Sequence, residues 1–133
     1  MKLVSVHVAP GATETLYELL AERTPEMNIS HRALPDWEDH VAFVDSKPYA
    51  AWYVIDVPDV GRVGSVYLTK QREVGLFIFA RHRGKGYGKQ ALAMLRERHP
   101  GRLLANIAPG NAPSHRFFAA NGARLVQQTY ELT

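Results

Sequence analysis

With 133 residues, 46% hydrophobic and 22% charged, the chain has the size and composition of one globular domain able to bury a single core. The absence of cysteine excludes a disulfide framework and a thiolate nucleophile, and no apolar run approaches the roughly 20 residues of a membrane-spanning helix. The charge of +3 is unevenly divided, with 7 Lys/Arg against 11 Asp/Glu in residues 1–73 and 9 against 2 in residues 74–133, which points the second half of the chain toward an anion.

In chain order, residues 2–8 alternate like a strand and soon meet Pro10-Gly11. That pattern fits no signal peptide and leads to the expectation of a soluble, cytoplasmic protein. Residues 13–23 read as a helix, followed by a loop, a second helix over 35–46 and a strand over 49–57. The turn Pro58-Asp59-Val60-Gly61 then leads into a strand over 62–68, and a turn near Lys70 into another over 73–80. A helix over 86–99, a strand over 102–107, a helix over 112–121 and a closing strand over 123–132 complete the series. Short turns between the middle strands imply antiparallel pairing, and strand-helix-strand from 73 to 107 implies a parallel pair. The expected fold is α/β of the α+β kind, a single domain over residues 1–133: a mixed, twisted, mostly antiparallel sheet with helices on both faces.

Between the strand over 73–80 and the helix after it stands Arg83-Gly84-Lys85-Gly86-Tyr87-Gly88-Lys89. Glycines at alternate positions let successive N–H groups face one concavity at the positive end of a helix dipole, which is a site for phosphate. Arg83, Lys85 and Lys89 add positive charge. A P-loop is excluded, because Arg83 and Gln90 stand where it needs Gly and Ser/Thr; a dinucleotide fingerprint is excluded because the third glycine comes one position early and the chain near Ala108 is neutral. Further on, Asn111, Pro113, Phe117, Phe118 and Asn121-Gly122 make a well-capped helix with an apolar face and a left-handed stop.

The spacing Arg83-x-x-Gly86-x-Gly88 resembles the pyrophosphate loop of the GNAT superfamily of CoA-dependent N-acyltransferases. Asn111, Ser114, Phe118 and Gly122 are similar to that family's second motif, Asn-x-x-Ala/Ser-x-x-x-Tyr/Phe-x-x-x-Gly. The resemblance in motifs runs from about residue 74 to 132. It implies a GNAT fold in which the fourth and fifth strands splay apart, with acetyl-CoA as co-substrate. The pantetheine arm would bond backbone groups of Phe77, Ile78 and Phe79. The loop from Arg83 through Gly84, Lys85, Gly86, Tyr87 and Gly88 to Lys89 would hold the pyrophosphate, and Asn111, Ser114 and Phe118 would complete the cofactor site. The reaction implied is acetyl transfer to a primary amine in a ternary complex, with a backbone N–H near Ile78 polarising the thioester carbonyl.

Relatives that acetylate protein N-termini commonly carry Glu as base five residues before the motif Asn, and Tyr as acid seven after it. Here those positions hold Asn106 and Phe118, neither of which exchanges a proton at neutral pH. Replacement candidates are Tyr130 in the closing strand, Glu73 at the start of the fourth strand, and His31 and His40 around the second helix. Side-chain alternation from Ile78 puts Glu73 on the opposite face from that residue. His82 and His115 read as solvent or phosphate-side groups. No spacing of histidines and carboxylates makes a metal site. The acceptor expected is a small-molecule amine, such as an amino sugar or an amino acid. Residues 29–53 loosely resemble bacterial enzymes that acylate nucleotide-linked amino sugars, with Trp37, Phe43 and Trp52 as stacking or core residues. The alternatives are a catalytically silent CoA-binding module and an enzyme acting on a protein or nucleic-acid amine. The chain's pI of about 9.3 keeps nucleic acid among the partners considered, with no membrane partner and a monomer or homodimer as the assembly.

Overall fold

The computed structural model describes residues 1–23 and 33–133. Four strands, β1 (Lys2–Ser5), β2 (Ala51–Val57), β3 (Gly61–Leu68) and β4 (Val74–Ile78), form one sheet in the order β1-β2-β3-β4, each neighbour antiparallel. The helices are α1 (Ala12–Ala21), α2 (Trp37–Asp45), α3 (Tyr87–Arg98) and α4 (Ala112–Ala120). Alternation along the strands sends side chains to two cores. Val54 of β2 and Phe79, just past β4, pack with Leu16 and Leu19 of α1 and Val44 of α2 on one face. Ile55, Val66 and Val74 pack with Ala91, Leu92 and Leu95 of α3 on the other.

Local chemistry explains the boundaries. Asp36 caps α2 by accepting the Asp39 N–H at 2.9 Å, and Asn111 caps α4 by accepting from Ser114 N–H at 3.3 Å. His40 is buried and its Nε2 lies 2.9 Å from the Thr13 carbonyl, a bond that ties α2 to α1. That contact engages the nitrogen His40 would have offered as a base.

The helices on both faces agree with the sequence expectation, as does the antiparallel middle of the sheet. The strand expected over 102–107 is reduced to a single parallel bridge, Glu73 to Leu104, in which Val74 N–H donates to the Leu104 carbonyl at 2.7 Å and Leu104 N–H to the Arg72 carbonyl at 2.9 Å. The cause lies in the turn before it. The Arg72 guanidinium donates to the carbonyls of His99, Pro100 and Arg102, which fastens the chain at the start of β4, and Pro109-Gly110 bends it away at the other end. Beyond Leu104 the two segments diverge. The closing strand expected over 123–132 lacks the partner edge that residues 102–107 would have offered, and these residues carry no regular structure.

Candidate acyl-transfer site

Three features converge at the C-terminal end of β4. The first is an open strand edge. Val74 N–H bonds to Leu104 and Phe79 N–H bonds to the Val63 carbonyl of β3 at 2.9 Å. Because successive residues of a strand direct their backbone groups to opposite sides, the N–H groups of Leu76 and Ile78 face the diverging side, away from β3. Of the three residues expected to present backbone to a pantetheine arm, Ile78 has its N–H on the side away from β3, while Phe77 and Phe79 direct theirs into the sheet. Arg83 Nε occupies the Ile78 carbonyl at 3.2 Å, leaving the Ile78 N–H as the group free to polarise a ligand oxygen.

The second feature is the glycine loop. Gly84 and Gly86 have φ of 77° and 81°, a left-handed backbone that carries almost no cost only without a Cβ. Gly86 is the N-cap of α3, and no side chain caps this helix. Its first internal bond is Gln90 N–H to the Gly86 carbonyl at 3.1 Å, so the N–H groups of the preceding turn are left for an anion. Gly88 also faces α4. A Cβ there would stand 3.4 Å from the Phe117 ring, an ordinary contact. Lys85 and Lys89 are exposed beside the loop. Desolvation, then the charges of Arg81 and Lys85, hold His82 below the ordinary imidazole range, and its Nδ1 has no hydrogen-bond partner among the described residues.

The third feature lies on the opposite face of the sheet, beneath α1 and α2, where a cavity of about 70 Å³ is walled by Arg23, Phe43, Tyr49, Trp52, Tyr67 and Phe77, among others. Tyr49 and Tyr67 stack with ring centroids 4.0 Å apart and planes 3° from parallel. Tyr67 fits because Gly75 faces it across the strand pair: a Cβ on Gly75 would stand 2.1 Å from the Tyr67 ring. Burial, more than any neighbour, raises both phenols above their ordinary range, so they stay protonated at neutral pH. Sequence reasoning missed Tyr49, Tyr67 and Arg23. The signal available was Gly75, a glycine inside a strand pattern, which marks a close approach.

The structure brings two of the expected catalytic residues together. Asn106 Nδ2 donates to Glu73 Oε2, and Thr69 Oγ1 donates to Glu73 Oε1 at 3.3 Å, so the carboxylate is held by two neutral donors at the bridged end of β4, beside Leu104. Glu73 does fall opposite Ile78, as alternation requires, and this is the face of Tyr67 and Phe77. Phe118 packs edge-to-face on Phe117 with centroids 5.1 Å apart and joins the core over α3. Asn111 and Ser114 form the N-terminal turn of α4. Tyr130 is not brought to the site: it is 83% exposed and its hydroxyl donates to Gln128 at 3.0 Å, because the strand that was to carry it into the gap is not formed. His115 bonds the Ala108 carbonyl, and His31 lies outside the described residues. Among the described residues no cluster of His, Asp or Glu could hold a metal.

This combination of an antiparallel four-stranded sheet with helices on both faces, an open fourth strand and an uncapped glycine-loop helix defines a CoA-dependent acyltransferase architecture. Residues 7–124 match the model of the acetyltransferase (GNAT) domain, and the chain belongs to that family. It is accordingly an acetyltransferase with acetyl-CoA as co-substrate. Among solved structures it is similar to an acetyltransferase from Thermus thermophilus, at 24% identity and TM-score 0.72, over 95% of this chain and 88% of that one. It is also similar to the aminoglycoside 6'-N-acetyltransferase AAC(6')-IG from Acinetobacter haemolyticus, at 12% identity and TM-score 0.70, over 100% and 97%. A third is YncA from Salmonella typhimurium, solved with its cofactor acetyl-CoA, at 19% identity and TM-score 0.63, over 91% and 76%. At these identities the likeness is one of fold. No curated protein matches the sequence.

Proposed function

We propose that the protein transfers the acetyl group of acetyl-CoA to a primary amine of a small molecule. The observation that carries this reading is the continuity of two surfaces: the uncapped N-terminus of α3 with Lys85 and Lys89 adjoins the free Ile78 N–H on the open edge of β4. An anionic pyrophosphate held at the first would lay a thioester along the second, with its carbonyl oxygen at the Ile78 N–H. The amine would approach from the face of Tyr67 and Phe77. Glu73, five strand residues or ~16 Å along the chain from Ile78, would take its proton through intervening water, as nitrogen attacks the carbonyl carbon and the carbon–sulfur bond breaks; the thiolate would leave and be protonated from solvent, since Phe118 offers no proton.

The test is a thermal melt with acetyl-CoA, followed by CoA release on a panel of amines. A ligand at ~100 times its Kd adds roughly 2.7 kcal/mol to stability, and Gly86→Glu should abolish the shift through left-handed strain and charge while the sheet remains folded. A shift with ATP or NAD and none with CoA would refute the reading. Binding without turnover of any amine would favour a silent CoA-binding module.

A further inference from the structure

Two residues that line the cavity under α1 and α2, Trp52 and Arg23, each carry a buried donor without a hydrogen-bond partner among the described residues. Trp52 is 8% exposed, and its indole Nε1 has no hydrogen-bond partner; the Nε of Arg23 is likewise buried without one among the described residues. Native interiors leave few such groups, because an unpaired buried donor forfeits its hydration. Two lining one cavity call for an occupant that accepts hydrogen bonds. The indole has little freedom to turn elsewhere, being wedged edge-on against Tyr49 at 4.7 Å and Phe43 at 6.0 Å. The Arg23 guanidinium lies 4.4 Å from the centre of the Phe77 ring, which holds its charge against the pocket wall.

We infer that the acceptor is an amine that also bears a carboxylate, and that Trp52 and Arg23 hold this carboxylate at the inner end of the pocket. The inference rests on the acetyltransferase reading above, which makes this face the acceptor side. No Asp or Glu lines the pocket among the described residues, and its two tyrosines are uncharged, so its permanent charge is that of Arg23; His40, which also lines it, has its Nε2 engaged 2.9 Å from the Thr13 carbonyl. A polyamine or other polycation would meet that charge unopposed. One guanidinium and one indole N–H match a planar monoanion better than a phosphate dianion, which would draw on more cations. The walls of Tyr49, Tyr67 and Phe77 suit a flat or apolar body. With the carboxylate inside, the amine points outward toward Glu73 and the open edge of β4.

The experiment uses the Trp37→Phe protein, in which Trp52 is the remaining indole, saturated with CoA and titrated with matched pairs: each amino acid against its decarboxylated amine, for example phenylalanine against phenethylamine, with spermidine as the polycation. Indole emission reports binding directly, and CoA release from acetyl-CoA is followed in parallel. At least one amino acid should perturb the emission and bind ~10-fold or more tightly than its decarboxylated partner, and Arg23→Met should erase that preference while retaining the thermal shift with CoA. Equal or tighter binding of the decarboxylated amines or of spermidine, or no response to any amino acid, overturns the inference. If CoA itself produces no thermal shift, the acetyltransferase reading is what has failed.

Discussion

Gly75→Ala is the sharpest perturbation the sheet offers. In most strands this change is mild, and at a compatible backbone it stabilises by about 0.4–1 kcal/mol through the unfolded state. Here the new Cβ would stand 2.1 Å from Tyr67 Cζ, 2.2 Å from Cε2 and 2.6 Å from the hydroxyl. Ordinary contact begins near 3.4 Å, so the ring must retreat by more than an ångström. It has no room to do so in place, with Tyr49 stacked on it at 4.0 Å and Phe77 and Trp52 at 6.2 and 6.3 Å. The ring must leave the pocket, and overpacking of about 1–3 kcal/mol adds to about 0.5–1.5 kcal/mol for the lost aromatic pair. The expected loss of roughly 2–4 kcal/mol corresponds to a fall in Tm of ~10 °C for a domain of this size. The decisive assay is a double-mutant cycle in chemical denaturation. In a Tyr67→Leu background, where the long ring is gone, Gly75→Ala should cost almost nothing. An equal cost in both backgrounds would refute the steric argument. The same substitution should weaken acceptor use far more than acetyl-CoA binding, because residue 75 faces away from α3.

Two further outcomes follow from individual side chains. Glu73→Gln keeps the shape and the contacts with Thr69 and Asn106 but removes the base, so turnover should fall by ~10²–10⁴ with acetyl-CoA affinity unchanged, and the acid limb of the pH–rate profile should disappear; full retention of rate would remove Glu73 from the chemistry. His99, whose Nε2 lies 2.9 Å from the Tyr53 hydroxyl, is held below its ordinary imidazole range by desolvation and then by Arg72 and Arg98. The unfolded chain therefore binds this proton more readily, so the contribution is present above the unfolded value of 6.5 and is lost as pH falls from there through the lower folded value. Denaturant melts should show His99→Gln losing less stability than the parent between pH 7.5 and pH 5.5, and equal losses would refute the assignment.

What was legible in the sequence was whatever local chemistry determines. The glycine loop announces itself through positive φ and an apolar strand before it, and Asn111 through its capping role. Strand alternation placed Glu73 opposite Ile78. What that alternation could not reveal is which face of the sheet carries a cavity, because the answer depends on α1 and α2 folding back over the sheet, a long-range event with no local signature. Tyr67 and Tyr49 were invisible for the same reason: each reads as a sheet tyrosine until Gly75 is seen to make a place for a ring across the ladder. Residues 123–132 fail in the opposite sense. Their apolar alternation is a local strand signal, but a strand exists only where an edge receives it, and Arg72 with Pro109-Gly110 takes residues 102–107 out of that role after one bridge.

The same geometry bears on the missing acid. Phe118 lies in the α3 core, Tyr130 projects into solvent, and Tyr67 and Tyr49 are on the face of the sheet proposed for the acceptor, with phenols that burial makes still weaker acids. None of these is both acidic enough and near the open edge where a thiolate would depart. The base proposed above, by contrast, is a carboxylate held by Asn106 and Thr69 at the bridged end of the same gap. A thiol is a far better leaving group than an amine or alcohol, so an enzyme of this design can leave its departure to water and concentrate its protein groups on the step water does poorly, which is delivering a neutral amine to the carbonyl beside the Ile78 N–H.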